Sequence, residues 1–254
     1  MPHPATPLAH LSFPHLLPHI KTACSTCGLR ELCLPVGLTP LEIESLDELV
    51  ERRRSLKRGE YLHRNGAPFH ALFAVRQGFF KTSVLHEDGR EQVTGFQMSG
   101  ELLGMDAISS ERHTCDAVAL EPAEVCEVPF AKLEEISRHI PTLMNHFHKI
   151  MSREIVRDHG VMLLLGSMSA EERLTAFLLN LSHRFSTRGG SSSAFQLRMT
   201  REDIGNYLGL KLETVSRAFS KLQADGLIKI SNKHIEIRDP NGLRKIIGNE
   251  FTGR

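Results

Sequence analysis

Apolar positions fall into distinct textures along the chain. Between Leu56 and Phe130 they come as short, partly alternating runs: Leu72-Phe73-Ala74-Val75, Phe79-Phe80-Lys81-Thr82-Ser83-Val84-Leu85, Gln92-Val93-Thr94-Gly95-Phe96 and Val125-Cys126-Glu127-Val128. Glycines at 59, 66, 78, 89, 95, 100 and 104 punctuate them, and Asp88-Gly89 is a hairpin signal between the second and third runs. Short strands with regular turns predict a β sandwich, roll or barrel. From about Ala131 the spacing becomes helical. After Pro141 an uninterrupted stretch reaches about Met168, with Ile140, Met144, Phe147, Met151, Ile155, Met162 and Leu165 mostly at steps of three and four. This predicts one long helix whose heptad-like seam suits pairing with a second copy; the alternative is an amphipathic helix packed on its own domain. Asp158 falls on the same stripe, and Gly160 weakens the helix by roughly 1 kcal/mol relative to Ala.

Polar punctuation places the remaining elements. Thr39-Pro40-Leu41-Glu42 forms a capping box with Pro at the first helical position, and predicts a helix through Leu46, Leu49 and Val50 to about Arg53. Ser169 and Glu172 open another helix, carrying Leu174, Phe177, Leu178 and Leu181 and stopping near Gly189-Gly190. Thr200 caps a short helix from Arg201 to Leu208, Gly209 supplies a tight turn, and a second helix runs from about Lys211 to Ala224, which is a helix-turn-helix pattern. Leu227-Ile228-Lys229-Ile230 and His234-Ile235-Glu236-Ile237 then flank Ser231-Asn232-Lys233 as a β-hairpin wing. Residues 1–23 hold five Pro and four His and read as a mobile arm.

Composition narrows the class. The 254 residues are 41% hydrophobic and 24% charged, ordinary for a globular chain. Five Cys are too few for a disulfide scaffold, no apolar run is long enough to span a membrane, and no signal peptide is seen at the start. The expectation is a cytoplasmic protein without a membrane partner. The formal charge of +1 hides a local asymmetry: residues 198–233 carry seven Lys/Arg against four Asp/Glu. A DNA duplex needs such a face to displace its counterions. The second helix of the motif would enter the major groove, where Glu213, Ser216 and Arg217 share one face. Arg forks onto guanine, Glu accepts from cytosine, and Ser adapts to either; the plain alternative is a solvated polar face.

Cys24-x₂-Cys27-x₅-Cys33 places three thiols within ten residues, and Cys126 near the end of a predicted strand completes four. Four thiolates suit a structural zinc or an iron–sulfur cluster, whereas free thiols on a mobile arm are the alternative. Cys115 has no nearby Cys and reads as a spare thiol or buried filler. A metal-dependent β-roll enzyme is disfavoured, because His63, His70, His86 and His113 are scattered without H-x-H or HExxH pairing.

The order β-roll, long helix, winged helix-turn-helix resembles the cyclic-AMP receptor/fumarate–nitrate reduction regulator (CRP/FNR) superfamily over essentially the whole chain. Within it, Cys24-x₂-Cys27-x₅-Cys33, Gln92-Val93-Thr94-Gly95-Phe96, Val125-Cys126-Glu127-Val128-Pro129-Phe130, Gly205-Asn206-Tyr207-Leu208-Gly209-Leu210 and Glu213-Thr214-Val215-Ser216-Arg217 are most similar to the oxygen-sensing FNR/Anr branch. The resemblance implies an α+β fold: an N-terminal cysteine arm (1–38), a cyclic-nucleotide-binding-like β-roll sensor (39–138), a dimerisation helix (139–168) and a winged helix-turn-helix (169–254). It implies a transcription regulator rather than an enzyme. Its [4Fe–4S] cluster would be held by Cys24, Cys27, Cys33 and Cys126 when oxygen is scarce. The homodimer would bind double-stranded DNA at palindromic TTGAT-like half-sites through Glu213, Ser216 and Arg217. The turn at residues 88–92 resembles a loop that touches RNA polymerase.

No cyclic nucleotide is expected. The nucleotide branch places Arg-Ser fifteen and sixteen residues after the Gly of Gly-Glu, where this chain has Cys115-Asp116, and an Asp repels a phosphate. Gly28 stands after Cys27, where relatives often carry a larger side chain. The expected switch lies at Ile155, Asp158 and Met162. In a two-fold dimer Asp158 meets its own copy, and the repulsion holds the dimer apart until the cluster tips the balance.

Overall fold

A computed structural model describes residues 27, 33, 38–47, 49–50 and 52–248. The His/Pro-rich arm and Cys24 lie outside them. Helix α1 (Pro40–Asp47) starts as the capping box predicts, with Glu42 Oε2 accepting from the Thr39 N–H at 2.7 Å and Thr39 Oγ1 accepting from the Glu42 N–H at 3.3 Å. It does not run on to Arg53. Three consecutive arginines give a helix no apolar face to bury, and Arg52–Leu56 instead forms strand β1 at a sheet edge.

Residues 52–129 form a pair of four-stranded antiparallel sheets. With β1, their strands are β2 (Tyr61–His63), β3 (Ala71–Gln77), β4 (Phe79–Leu85), β5 (Glu91–Met98), β6 (Leu102–Leu103), β7 (Asp116–Ala119) and β8 (Ala123–Pro129). One sheet has the order β1-β8-β3-β6 and the other β2-β7-β4-β5. Leu62, Val75, Phe80, Ala117 and Val125 fill the space between them. Strands β4 and β5 form the hairpin signalled by Asp88-Gly89, with Leu85 opposite Glu91. The short strands β1, β2, β6 and β7 escaped the sequence reading, since two to five residues hold too little alternation to recognise.

Helices α2 (Phe130–His139) and α3 (Pro141–Ser167) follow. The seam of α3 divides into two halves. Ile140, Leu143 and Phe147 are buried with Leu46, Leu72 and Leu133 of their own domain, so the first half is an intramolecular contact. Ile155, Val156, Met162 and Leu163 are exposed, as is Asp158.

Beyond α3 come α4 (Ala170–Ser186), β9 (Ala194–Gln196), α5 (Arg201–Leu208), α6 (Leu212–Ala224), β10 (Ile228–Ser231), β11 (His234–Ile237) and α7 (Pro240–Ile247). Ser169/Glu172 and Thr200/Asp203 are both complete capping boxes, and Gly209 takes the left-handed turn at φ 63°. The wing gains β9 as a third strand, in the order β10-β11-β9.

This C-terminal unit packs on the β4–β5 hairpin: Phe79, Val93, Phe96 and Met98 share a core with Phe177, Leu178 and Ile204. Polar ties reinforce the contact. Glu101 receives Arg184 Nη2 at 2.6 Å and Arg188 Nη2 at 2.5 Å. Lys81 bridges Asp203 at 2.8 Å and Glu91 at 2.9 Å, and Gln92 Nε2 donates to the Asn206 carbonyl at 2.5 Å. Arg173 donates to the carbonyls of Met168, Leu165 and Leu208, joining the end of α3 to the end of α5. Among the described residues no helix is long and apolar enough to cross a membrane.

Candidate metal centre and nucleic-acid interface

Strand alternation builds the first site. On β8 Val125 points into the sheet-to-sheet core, so Cys126 and Val128 point to the other face. Register sets Ala74 beside Cys126 and Leu102 beside Ala74, a row running across the sheet. Over this row lies a cavity of about 100 Å³. Its walls are Cys126, Val128, Ala74 and Leu102 from the sheet, Leu46 from α1, and Leu143, His146, Phe147 and Ile150 from α3. Cys27 and Cys33 line the same cavity.

Three of the four proposed ligands therefore face one apolar space, although 93 residues separate Cys33 from Cys126. Burial pushes the Cys126 thiol above its usual range; the Arg53 guanidinium opposes that and Cys27 adds to it. The donor set is soft sulfur, the class that takes zinc or iron–sulfur clusters. The remaining predicted ligand, Cys24, lies outside the described residues.

His146 was missed in the sequence. Its ring hydrogen-bonds the Cys33 backbone, tying the cysteine segment to α3. Burial chiefly holds its pKa below the usual histidine value. The available signal was a polar residue beside Phe147 on an otherwise apolar stripe. Cys115 is elsewhere: buried just before β7, it donates to Asp106 Oδ2 at 3.6 Å, and burial and that carboxylate push it up to about 12. Its burial agrees with one of the two sequence readings, spare thiol or buried filler.

The second site is the exposed face of α6. Val215, Ala218, Phe219 and Leu222 are buried, which turns Glu213, Ser216 and Arg217 to solvent. Arg201 stacks its guanidinium 3.2 Å over the Phe219 ring, fixing α5 against α6, and burial lowers its pKa to about 10. Lys211, Lys229 and Lys233 flank the face and are exposed. An exposed, basic-flanked helix on a rigid two-helix base is what groove entry requires.

The residues compared above with the nucleotide branch have partners within the protein, as does Arg112. Asp116 Oδ1 accepts the Asn65 N–H at 2.7 Å, Arg112 Nη1 donates to the Gly66 carbonyl at 2.7 Å, and Glu101 is taken up by Arg184 and Arg188.

Comparison with known proteins gives concordant matches. A family model described as a Crp-like helix-turn-helix domain matches residues 172–246, and one described as a cyclic nucleotide-binding domain matches residues 53–139. The chain is 46% identical to Transcriptional activator protein anr of Pseudomonas aeruginosa, over 91% of this chain and 94% of that protein. It is 42% identical to the Fumarate and nitrate reduction regulatory protein of Yersinia pestis, over 89% of this chain and 90% of that protein. The solved structure of FixK2 from Bradyrhizobium japonicum matches with a TM-score of 0.72 at 29% identity, covering 78% of this chain and 97% of that one.

Proposed function

We propose, from the premise that the chain belongs to the CRP/FNR family of DNA-binding transcription regulators and is similar to its FNR and Anr members, that it senses oxygen through a [4Fe–4S] cluster. The ligands would be Cys24, Cys27, Cys33 and Cys126. The observation that carries this reading is the convergence of Cys27, Cys33 and Cys126 on one apolar cavity. Bound there, the cluster would supply an oxygen-labile link between the N-terminal segment and β8.

The chain's own residues carry the consequence. Holding Cys27 and Cys33 against Cys126 places the Cys33 backbone on His146 and closes the cavity under Leu143, Phe147 and Ile150 of α3. A helix is stiff along its axis, rising about 1.5 Å per residue, so its register near His146 fixes Ile155, Asp158 and Met162 two to four turns on. Those residues form the exposed half of the seam, and two copies of it would join the homodimer. Two α6 helices would then stand roughly 34 Å apart, one DNA turn, on TTGAT-like half-sites of a palindrome. A monomer offers one reader and half the phosphate contacts. The exposed turn at Asp88-Gly89-Arg90 remains free for RNA polymerase. Effector nucleotides have no place in this reading, given the partners of Asp116, Arg112 and Glu101.

Anaerobic absorption spectroscopy tests the proposal. The expected result is a brown chromophore that bleaches in air, lost in Cys126→Ser and kept in Cys115→Ser. A colourless protein with bound zinc would overturn the cluster, and loss in Cys115→Ser alone would overturn the ligand set.

A further inference from the structure

Two of the histidines that are scattered in the sequence meet in the fold. His63 ends β2, His113 lies in the loop before β7, and Asp106 sits on a single 3₁₀ turn (Met105–Ala107). We propose that His63, Asp106 and His113 form a site for a divalent transition-metal cation of the zinc class, separate from the cysteine cavity. One ligand atom from each residue lies within 4.8 Å of the other two. The imidazole centroids are 3.6 Å apart, and Asp106 Oδ1 is 3.5 Å from His113 Nδ1.

Hydrogen bonding orients two of the three donors, His63 and Asp106. His63 Nδ1 lies 3.2 Å from the Cys115 carbonyl, which can only accept, so Nδ1 carries the proton and Nε2 keeps a bare lone pair. That Nε2 is buried and has no hydrogen-bond partner among the described residues, and His113 Nδ1 has none there either, Asp106 Oδ1 approaching it at 3.5 Å without a hydrogen bond. Both side chains are more than nine-tenths buried, at 8% and 4% residual exposure. A ring whose far nitrogen donates to a backbone carbonyl while its near nitrogen is bare is the orientation found in metal-ligating histidines. Asp106 is divided likewise. Its Oδ2 accepts the Thr114 N–H at 2.7 Å and the Cys115 thiol at 3.6 Å, which leaves Oδ1 turned to His113.

A proton is the simplest competing occupant, but it satisfies less. Shared between His113 and Asp106, it leaves His63 Nε2 unpartnered, and two stacked imidazoles repel if both are charged. One cation serves all three groups once the rings turn out of their stack, in which they stand 14° from parallel, to reach bond lengths of roughly 2.0–2.2 Å. Two imidazole nitrogens and one carboxylate oxygen favour zinc, iron, cobalt or nickel over magnesium or calcium. The cation would pin β2 to the 105–115 segment. Asp106, Thr114 and Cys115 of that segment also line a second cavity, of about 680 Å³, whose far wall includes Glu154 and Asp158 of α3. A metal here would therefore brace the surface facing the switch half of that helix.

Cobalt titration of the full-length chain tests this, because cobalt on thiolates gives an intense near-ultraviolet charge-transfer band and cobalt on nitrogen and oxygen does not. In Cys126→Ser, one equivalent of Co²⁺ is expected to bind with visible ligand-field bands, without the thiolate band, and to be displaced by Zn²⁺. Adding His113→Gln should weaken binding by more than the ~10–100-fold typical of losing a second-shell partner. Asp106→Asn, nearly isosteric, supplies the same test if the Gln variant misfolds, and Zn²⁺ should raise the melting temperature of the Cys126→Ser chain but not of either variant. No binding in Cys126→Ser, a thiolate band in every cobalt complex, or affinity unchanged by His113→Gln would each overturn the site.

Discussion

Arg217 and Glu213 stand exposed one turn apart on α6, and neither is among the buried residues that hold that helix. Replacing them should therefore change recognition and leave the fold intact. Arg217→Ala is expected to cost ~1–3 kcal/mol on a matched half-site and to relax preference at one base pair, measured by fluorescence anisotropy on single-base variants at fixed salt. Lys229→Ala, on the wing, should weaken all duplexes alike and flatten the salt dependence. Residue-level signals of this kind were the most legible part of the sequence. Capping boxes are local, needing only a hydroxyl and a carboxylate three residues apart; those at Thr39 and Ser169 form as read, and the cap read at Thr200 is a third box, with Asp203. The pairing of His63 with His113 was illegible for the opposite reason: it depends on β2 and β7 being neighbours, which no local pattern encodes.

Elements are fixed by packing as well as by pattern. The turn between α5 and α6 brings the Leu210 carbonyl against Gly205, where an added Cβ would sit 2.5 Å from that oxygen. Backbone cannot yield as a flexible side chain can, so Gly205→Ala should cost ~1–3 kcal/mol and lower DNA affinity through misplacement of α6. Urea midpoints beside binding isotherms would separate these effects. The bridge from β4 to α5 gives a pH dependence. Burial alone would raise the Asp203 carboxyl, but hydrogen bonds from Lys81 and Thr200 outweigh it and hold the group below its ordinary value of 3.8. Lys81 is held above 10.5, since Asp203 and Glu91 outweigh its burial. The unfolded chain thus takes up the Asp203 proton first as pH falls. The bridge stabilises fully above about pH 4 and is lost as pH drops through the folded value. Asp203→Asn should lower the melting temperature clearly at pH 7 and much less near pH 2.5; an equal drop at both would mean that the charge contributes nothing. Helix α3 departs most from what its sequence pattern suggests. Its period was legible, but period cannot distinguish a seam facing another chain from one facing its own sheet, and the first half proved to be the latter.

At the scale of the whole molecule, the exposed half of α3 is where association would be decided. Ile155 and Met162 flank Asp158, all three in solvent. If two copies meet there, like carboxylates oppose the apolar gain. Asp158→Ala is expected to raise the dimer fraction in air, measured by light scattering after size exclusion, and with it affinity for a palindrome. A variant that stays monomeric would contradict the seam. Global architecture was legible because three textures follow one another without overlap, whereas contacts between distant textures were not. Cys126 could be matched to the N-terminal thiols by count and resemblance, but the row of Ala74 and Leu102 that floors their cavity appears only once register is known.

Arg173 binds three carbonyls, two at the end of α3 and one at the end of α5, and none of them belongs to the exposed face of α6. It acts as a set-screw between α3 and the helix-turn-helix. If two copies pair along α3, the tolerance for operators with an extra or missing base pair between half-sites would rest on the Lys81–Asp203 and Glu101–Arg184/Arg188 ties together with this guanidinium. A lysine there offers a single ammonium instead of a planar fork. It would leave each half-site legible while blurring the ruler between them.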